Sequence, residues 1–260
     1  MKKRDNNMIH SFLIIGQSNM AGRGSLTDAA PLNTNGGKLK VLRNGRWQTM
    51  FRPVNPDRPF SGTCLAESFA KAYSDDHEGV EVGIIPCADG GTFLDEWQPG
   101  EILFDNAVHC AKLAMRTSRL MGILWHQGES DCEPALYPLY AEKLQRMIDG
   151  LRAALGMPEI PILLGGLGEF LKDHAERDFL KNYIHINDAL QRVANADPRC
   201  AYVSAVGLTG NPDNLHFNAA SLAAFGYRYF DVWKTLPFSD DEPVTSDPST
   251  NTERTALAQL

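Results

Sequence analysis

Ser18, Asp213 and His216 are the residues whose types and spacing point to the most specific chemistry in this chain. Asp213 and His216 stand three apart, so within a turn the carboxylate can accept from the imidazole Nδ1 and leave Nε2 to take a proton. A serine hydroxyl is a weak nucleophile until such a base stands beside it. Ser18 follows the apolar run Phe12-Leu13-Ile14-Ile15 and the pair Gly16-Gln17, a strand ending in a polar loop. Attack on an ester carbonyl creates an oxyanion, which requires donors placed in advance. The candidates are the Ser18 N–H, an N–H from Gly90 or Gly91, and the Gln127 side-chain amide; each such donor is worth ~3 to 4 kcal/mol of transition-state stabilisation. Every one of these residues also has a plainer reading: Ser18 as a helix cap, Gly90-Gly91 as a turn, Asp213 as a turn residue, His216 as a satisfied polar side chain. Their conjunction favours the chemical reading.

The elements that must position these residues follow from periodicity. Residues 12–15 suit a strand buried on both faces. Further strands are expected over 80–86, 120–125, 160–164 and 201–206. Helices are expected from about 65, with Ser61 as a cap, then over 101–118, 137–155 (closed by Gly156 and Pro158), 177–195 and 218–236. In the second of these, Leu103, Ala107, Cys110, Leu113 and Ala114 share a stripe. Strand and helix alternate five times, which favours a parallel sheet covered on both faces, with ligands beyond the carboxyl ends of the strands. The polar clusters at 16–19, 89–92, 126–131 and 213–216 should therefore share one edge. Residues 25–62 are rich in Pro, Gly, Asn and Arg, with a short β-like piece at 38–42 and a turn at Asn44-Gly45. They read as a surface excursion, either a substrate wall or a plain hairpin. The main domain is expected to span residues 1–238, and 239–260 read as a polar tail.

Composition bounds the remaining classes. With 260 residues and 43% hydrophobic content, the chain can bury one large core. A net charge of −7 argues against nucleic-acid binding, and the one dense basic run, Lys2-Lys3-Arg4, reads as a solvated terminus. Five cysteines, Cys64, Cys87, Cys110, Cys132 and Cys200, form neither a disulfide framework nor a zinc ribbon. Neither a signal h-region nor a run long enough to span a membrane stands out, so a cytoplasmic location without membrane attachment is expected. Nucleotide fingerprints are missing from the glycine clusters. A metal site from His126, Glu129, Asp131 and Cys132 would mix hard and soft ligands at no familiar spacing. No cofactor or metal is called for, and a homo-oligomer stays open.

Four strings together resemble a known family: Gly16-Gln17-Ser18-Asn19-Met20-Ala21-Gly22; Gly90-Gly91-Thr92 with Trp97; Trp125-His126-Gln127-Gly128-Glu129-Ser130-Asp131; and Asp213-Asn214-Leu215-His216. They are similar to the sialate O-acetylesterase and acetylxylan esterase branch of the SGNH hydrolases, also described as family 6 of the carbohydrate esterases, over about residues 9–235. The resemblance implies a three-layer flavodoxin-like α/β fold with a central five-stranded parallel sheet, and metal-independent deacetylation of an acetylated carbohydrate. It implies Ser18 as nucleophile, His216 as base, Asp213 as its orienting partner, and Gly90 or Gly91 with Gln127 at the oxyanion. The wider superfamily has Asn where Gln127 stands and Gly-Asp-Ser where this chain has Gly-Gln-Ser, departures usual for this branch. Gln17 and Glu129 are read as supporting residues, Glu129 bracing the Ser18 loop or else serving as an alternative partner of His216. Trp97 and Asn19 are read as substrate-binding, and Trp47, Phe93 and Tyr137 as further aromatic surfaces for a sugar or as packing. A general short-chain esterase or thioesterase on the same triad, or a catalytically silent carbohydrate-binding protein, are the alternatives.

Overall fold

The computed structural model describes residues 8–237; the expected tail at 239–260 lies outside them. In chain order the elements are β1 (Ile9–Gly16), α1 (Ser18–Ala21), β2 (Leu39–Arg43), β3 (Arg46–Thr49), α2 (Leu65–Asp76), β4 (Val82–Pro86) and α3 (Ile102–Met115). They continue with β5 (Ser118–His126), α4 (Tyr140–Leu155), β6 (Ile162–Gly165), α5 (Tyr183–Ala196), β7 (Cys200–Val203) and α6 (Ala219–Trp233). The strands form one sheet in the order β3-β2-β4-β1-β5-β6-β7. All neighbours pair in parallel except β2 with β3.

Among the described residues seven strands stand where five were expected, because the 38–49 segment joins the sheet. Leu39 and Val41 are buried on one face and Leu42 on the other, while Lys40 and Arg43 are partly exposed, so a short strand extends the sheet beyond β4. Asn44 and Gly45 have φ of 50° and 73°, the pair of positive values that a tight hairpin turn needs. Polar, mostly exposed β3 then ends the sheet with an edge that resists further pairing.

β1 lies at the centre and is buried on both faces. Phe12 and Ile14 point to one face, where α2 and α6 pack; Leu13 and Ile15 point to the other, beneath α3, α4 and α5. This alternation produces two cores and three layers. α2 and α6 approach so closely that a Cβ on Gly226 would lie 2.1 Å from the Leu65 carbonyl oxygen.

Several local expectations shift. Ser61 does not cap α2: its hydroxyl lies against Asp57 and the Arg58 carbonyl. The helix starts after Cys64, where the Glu67 side chain accepts the Cys64 amide at 3.2 Å. In α3 the buried stripe is Phe104, Ala107, Ala111 and Ala114, so Cys110 and Leu113 sit at its margin. Tight 3₁₀ turns occupy 137–139 and 178–182, ahead of α4 and α5. Gly156, at φ 67°, closes α4, and the Asn218 side chain accepts the Ser221 amide at 2.9 Å to start α6. Among the described residues, no helix is long and apolar enough to cross a membrane.

Candidate active site

β1 delivers Ser18 to the carboxyl edge of the sheet. The chain turns there because Gly16 adopts φ 129° and passes so close to β5 that a Cβ would meet the His126 carbonyl oxygen at 2.1 Å. Gln17 N–H then donates to that oxygen at 2.9 Å, and α1 begins at Ser18. From the far end of the chain, the loop before α6 brings His216 opposite. Ser18 Oγ lies 3.1 Å from His216 Nε2, and His216 Nδ1 lies 2.7 Å from Asp213 Oδ2. The other Asp213 oxygen accepts the amides of Leu215 at 2.9 Å and His216 at 3.0 Å. Burial alone would raise the Asp213 carboxyl, but those two amides and the imidazole outweigh it and hold it below its ordinary value. A carboxylate charged in this way keeps the ring in the tautomer that leaves Nε2 facing the hydroxyl.

A cavity of about 250 Å³ opens on Ser18 and His216, walled by Gln17, Gly91, Arg58, Phe60 and Arg177. A larger hollow of about 310 Å³ lies elsewhere, between the 28–33 loop, α2 and α6. Its one buried charge, Glu67, is already paired with the partly exposed Arg52 at 2.7 Å, so it offers no comparable chemistry.

The expected oxyanion donors need correction at two positions. The Gly90 amide donates to Asp57 Oδ2 at 2.9 Å, and Asp57 is itself held by Arg23 through two bonds of 3.0 and 2.6 Å and by Ser61. That N–H is therefore taken, and Gly91, at φ 81° on the cavity wall, is the glycine left. The Gln127 side chain is fully buried. Its Nε2 protons go to the Thr92 carbonyl at 3.0 Å and Asp131 Oδ2 at 2.5 Å, and its Oε1 lies 3.1 Å from the Tyr140 hydroxyl. It braces the loop and does not reach the cavity. Gln17 does line the cavity. Its Oε1 accepts the Gly128 and Ser130 amides at 3.3 and 3.5 Å, and its Nε2 has no hydrogen-bond partner among the described residues.

Neither residue read as substrate-binding reaches the cavity. Trp97 is 1% exposed, donates to Thr92 Oγ1 at 3.0 Å and packs edge-on against Trp125. Asn19 is also 1% exposed and is bonded to Glu129, Leu215 and Phe217. Of the other aromatic candidates, Trp47 bonds to Thr117 and Tyr137 stacks on His185; they and Phe93 lie outside the cavity wall. The exposed aromatic side chain at the cavity is Phe60, 70% exposed, with the Arg23 guanidinium 5.3 Å from its ring centre. A lone Phe between Pro59 and Ser61 carries no sequence signal that would have singled it out.

Glu129 makes its hydrogen bonds to residues other than His216. Its Oε1 meets Asn19 Nδ2 at 2.5 Å and His126 Nε2 at 3.3 Å, which favours the bracing reading. Burial would push its carboxyl up; the His126 and Asn19 bonds prevail and hold it below its ordinary value. The four residues weighed for a metal diverge: Asp131 turns to Gln127 and the Leu94 amide, and Cys132 to the Gly128 carbonyl. Burial raises the Asp131 carboxyl to about 6.

Comparison with known proteins bears on the family and the fold. A probable carbohydrate esterase of Arabidopsis thaliana, At4g34215, is 29% identical over 175 residues, which span 58% of this chain and 66% of that protein. Its crystal structure superposes with a TM-score of 0.77 at 23% identity, covering 88% of this chain and 98% of the other. XAC1771, a carbohydrate acetylesterase from Xanthomonas citri, gives 0.65 at 20% identity over 87% of this chain and 56% of that one. NanS gives 0.64 at 16% identity over 88% and 98%. These likenesses show a common fold. Residues 8–235 match the family described as "Carbohydrate esterase, sialic acid-specific acetylesterase", a family of carboxylic ester hydrolases, and the chain belongs to it.

Proposed function

We propose that the protein removes O-acetyl groups from a carbohydrate through an acyl-enzyme on Ser18. The observation that carries this reading is the hydroxyl–imidazole–carboxylate line, 3.1 Å from Ser18 to His216 and 2.7 Å from His216 to Asp213. Ser18 Oγ attacks the acetyl carbonyl as His216 Nε2 takes its proton, and Asp213 steadies the imidazolium that forms. The Ser18 and Gly91 N–H groups and the Gln17 amide nitrogen meet the developing oxyanion. Collapse of the intermediate breaks the acetyl–oxygen bond, and His216 returns its proton to the departing sugar hydroxyl. Water, deprotonated by the same ring, then releases acetate and restores Ser18.

Ser18→Ala should stop release of p-nitrophenol from its acetate, with the wild-type circular dichroism and melting temperature retained. Full activity in that variant would remove Ser18 from the mechanism. A serine-directed phosphonate followed by peptide mass spectrometry should label Ser18 alone.

A further inference from the structure

One side chain holds the backbone on both sides of His216. Asn19, next to Ser18 in the chain, accepts the Phe217 N–H through Oδ1 at 3.0 Å and donates from Nδ2 to the Leu215 carbonyl at 3.1 Å. The same Nδ2 donates to Glu129 Oε1 at 2.5 Å, and Glu129 is met from behind by His126 Nε2 at 3.3 Å. An amide nitrogen carries two protons, so both Nδ2 bonds form together and the Asn19 side chain has one orientation. Asn19, Glu129 and His126 are at most 2% exposed.

Stability alone does not call for such a network. A buried carboxylate with one oxygen unpartnered among the described residues is a costly way to fill space that apolar side chains would fill as well. What the network achieves is geometric. Ser18 follows β1 at the start of α1, Glu129 follows β5, and these strands are paired through the middle of the sheet. The His216 loop belongs to neither strand, and Asn19 ties it to both. Proton transfer is sensitive to displacements of the order of 1 Å, which can cost ~10²-fold in rate.

We propose that Asn19 and Glu129 are positioning residues for the Ser18–His216 contact: Asn19 sets their separation by gripping the chain either side of His216, and Glu129 locks Asn19. The proposal rests on the esterase reading above. It separates two carboxylates that sequence leaves interchangeable, Asp213 orienting the ring and Glu129 orienting the loop that carries it.

The test compares Asn19→Leu, Glu129→Ala and Glu129→Gln on p-nitrophenyl acetate, with active sites counted by phosphonate labelling, together with a crystal structure of Asn19→Leu. The expected result for Asn19→Leu and Glu129→Ala is a fall in kcat per active site on the order of 10²-fold at nearly constant KM. Glu129→Gln should recover most of that loss, because an amide oxygen can still accept from Asn19. The crystal structure should show the sheet unchanged and Ser18 Oγ beyond hydrogen-bond reach of His216. Wild-type kcat per site in Glu129→Ala, or Gln no better than Ala at 129, would overturn the proposal. So would a Ser18–His216 separation still near 3.1 Å in Asn19→Leu. Should that variant fail to fold, the two Glu129 variants decide. Wild-type protein that cleaves no acetyl ester would instead sink the esterase reading, and the crystallographic distance would still judge the clamp.

Discussion

Burial raises the Asp131 carboxyl to about 6, more than the Gln127 and Leu94 bonds lower it. A carboxyl with a raised folded value binds its proton more tightly when folded than unfolded, so its contribution to stability is greatest in acid and is lost as pH rises from about 4 through 6. Asp131→Asn keeps an oxygen to accept both bonds and carries no charge. It should therefore stabilise the protein at pH 8, by on the order of 1 kcal/mol, and the gain should vanish at pH 4, as measured by urea midpoints. An equal gain at both pH values would mean that the buried charge is not its source. The neighbouring Gln127 illustrates what sequence leaves undecided. Gly16 and His126 are register partners on adjacent strands, so Gln17 and Gln127 leave the sheet side by side. One amide lines the cavity while the other packs against Tyr140. Position after a strand is legible in the residues, whereas the side to which Gln127 turns depends on Tyr140, which lies outside the motif, and on Asp131, whose partner the motif does not specify. Trp97 and Asn19 were misplaced for the same reason: residues near a site are read as facing it, and here they support it from beneath.

Elements, in contrast, were largely legible, because the alternation of strand and helix is written in runs such as Phe12 to Ile15. The hairpin at β2 and β3 was visible as a turn, yet its membership of the sheet was not. Nothing in Leu39 to Arg43 says that Val82, Gly83 and Ile84 will lie alongside. At the junction of β1 and α1 the sequence demands a glycine for a reason that coordinates supply. Gly16→Ala places a methyl group where the His126 carbonyl stands and forces an L-residue to φ 129°. It should cost ~2 to 4 kcal/mol and lower kcat as well, because Ser18 and Gln17 follow directly. Gly36, at φ 68° with open space around it, is the matched control: Gly36→Ala should cost only the backbone share, ~1 to 2 kcal/mol, and leave kcat alone. Similar losses of stability and rate in both variants would mean that the approach of β1 to β5 does not set the nucleophile.

At the scale of the whole molecule, charge sets the terms on which a substrate arrives. The chain carries a net −7, so its distant field repels anions, yet the cavity is ringed by Arg23, Arg58 and Arg177. Arg23 is neutralised by Asp57 and Arg58 by Asp89, both at 2.6 Å. Arg177 is exposed, and its side chain has no partner among the described residues. An unpaired guanidinium on the same cavity wall as Phe60 would suit an acetylated sugar that carries a carboxylate, with its ring against Phe60 and its charge on Arg177. Such a contact reaches across a solvated mouth, where 0.15 M salt screens beyond about 8 Å. Arg177→Glu should therefore lower kcat/KM for acetylated sialic acid by ~10-fold at low salt, since a charge reversal at this range is worth roughly 1 to 2 kcal/mol. The effect should shrink at high salt and be much smaller on acetylated xylo-oligosaccharides. Equal losses on the acidic and neutral sugars would show that Arg177 shapes the mouth without selecting by charge. The substrate preference would then have to come from Phe60 and the cavity wall alone.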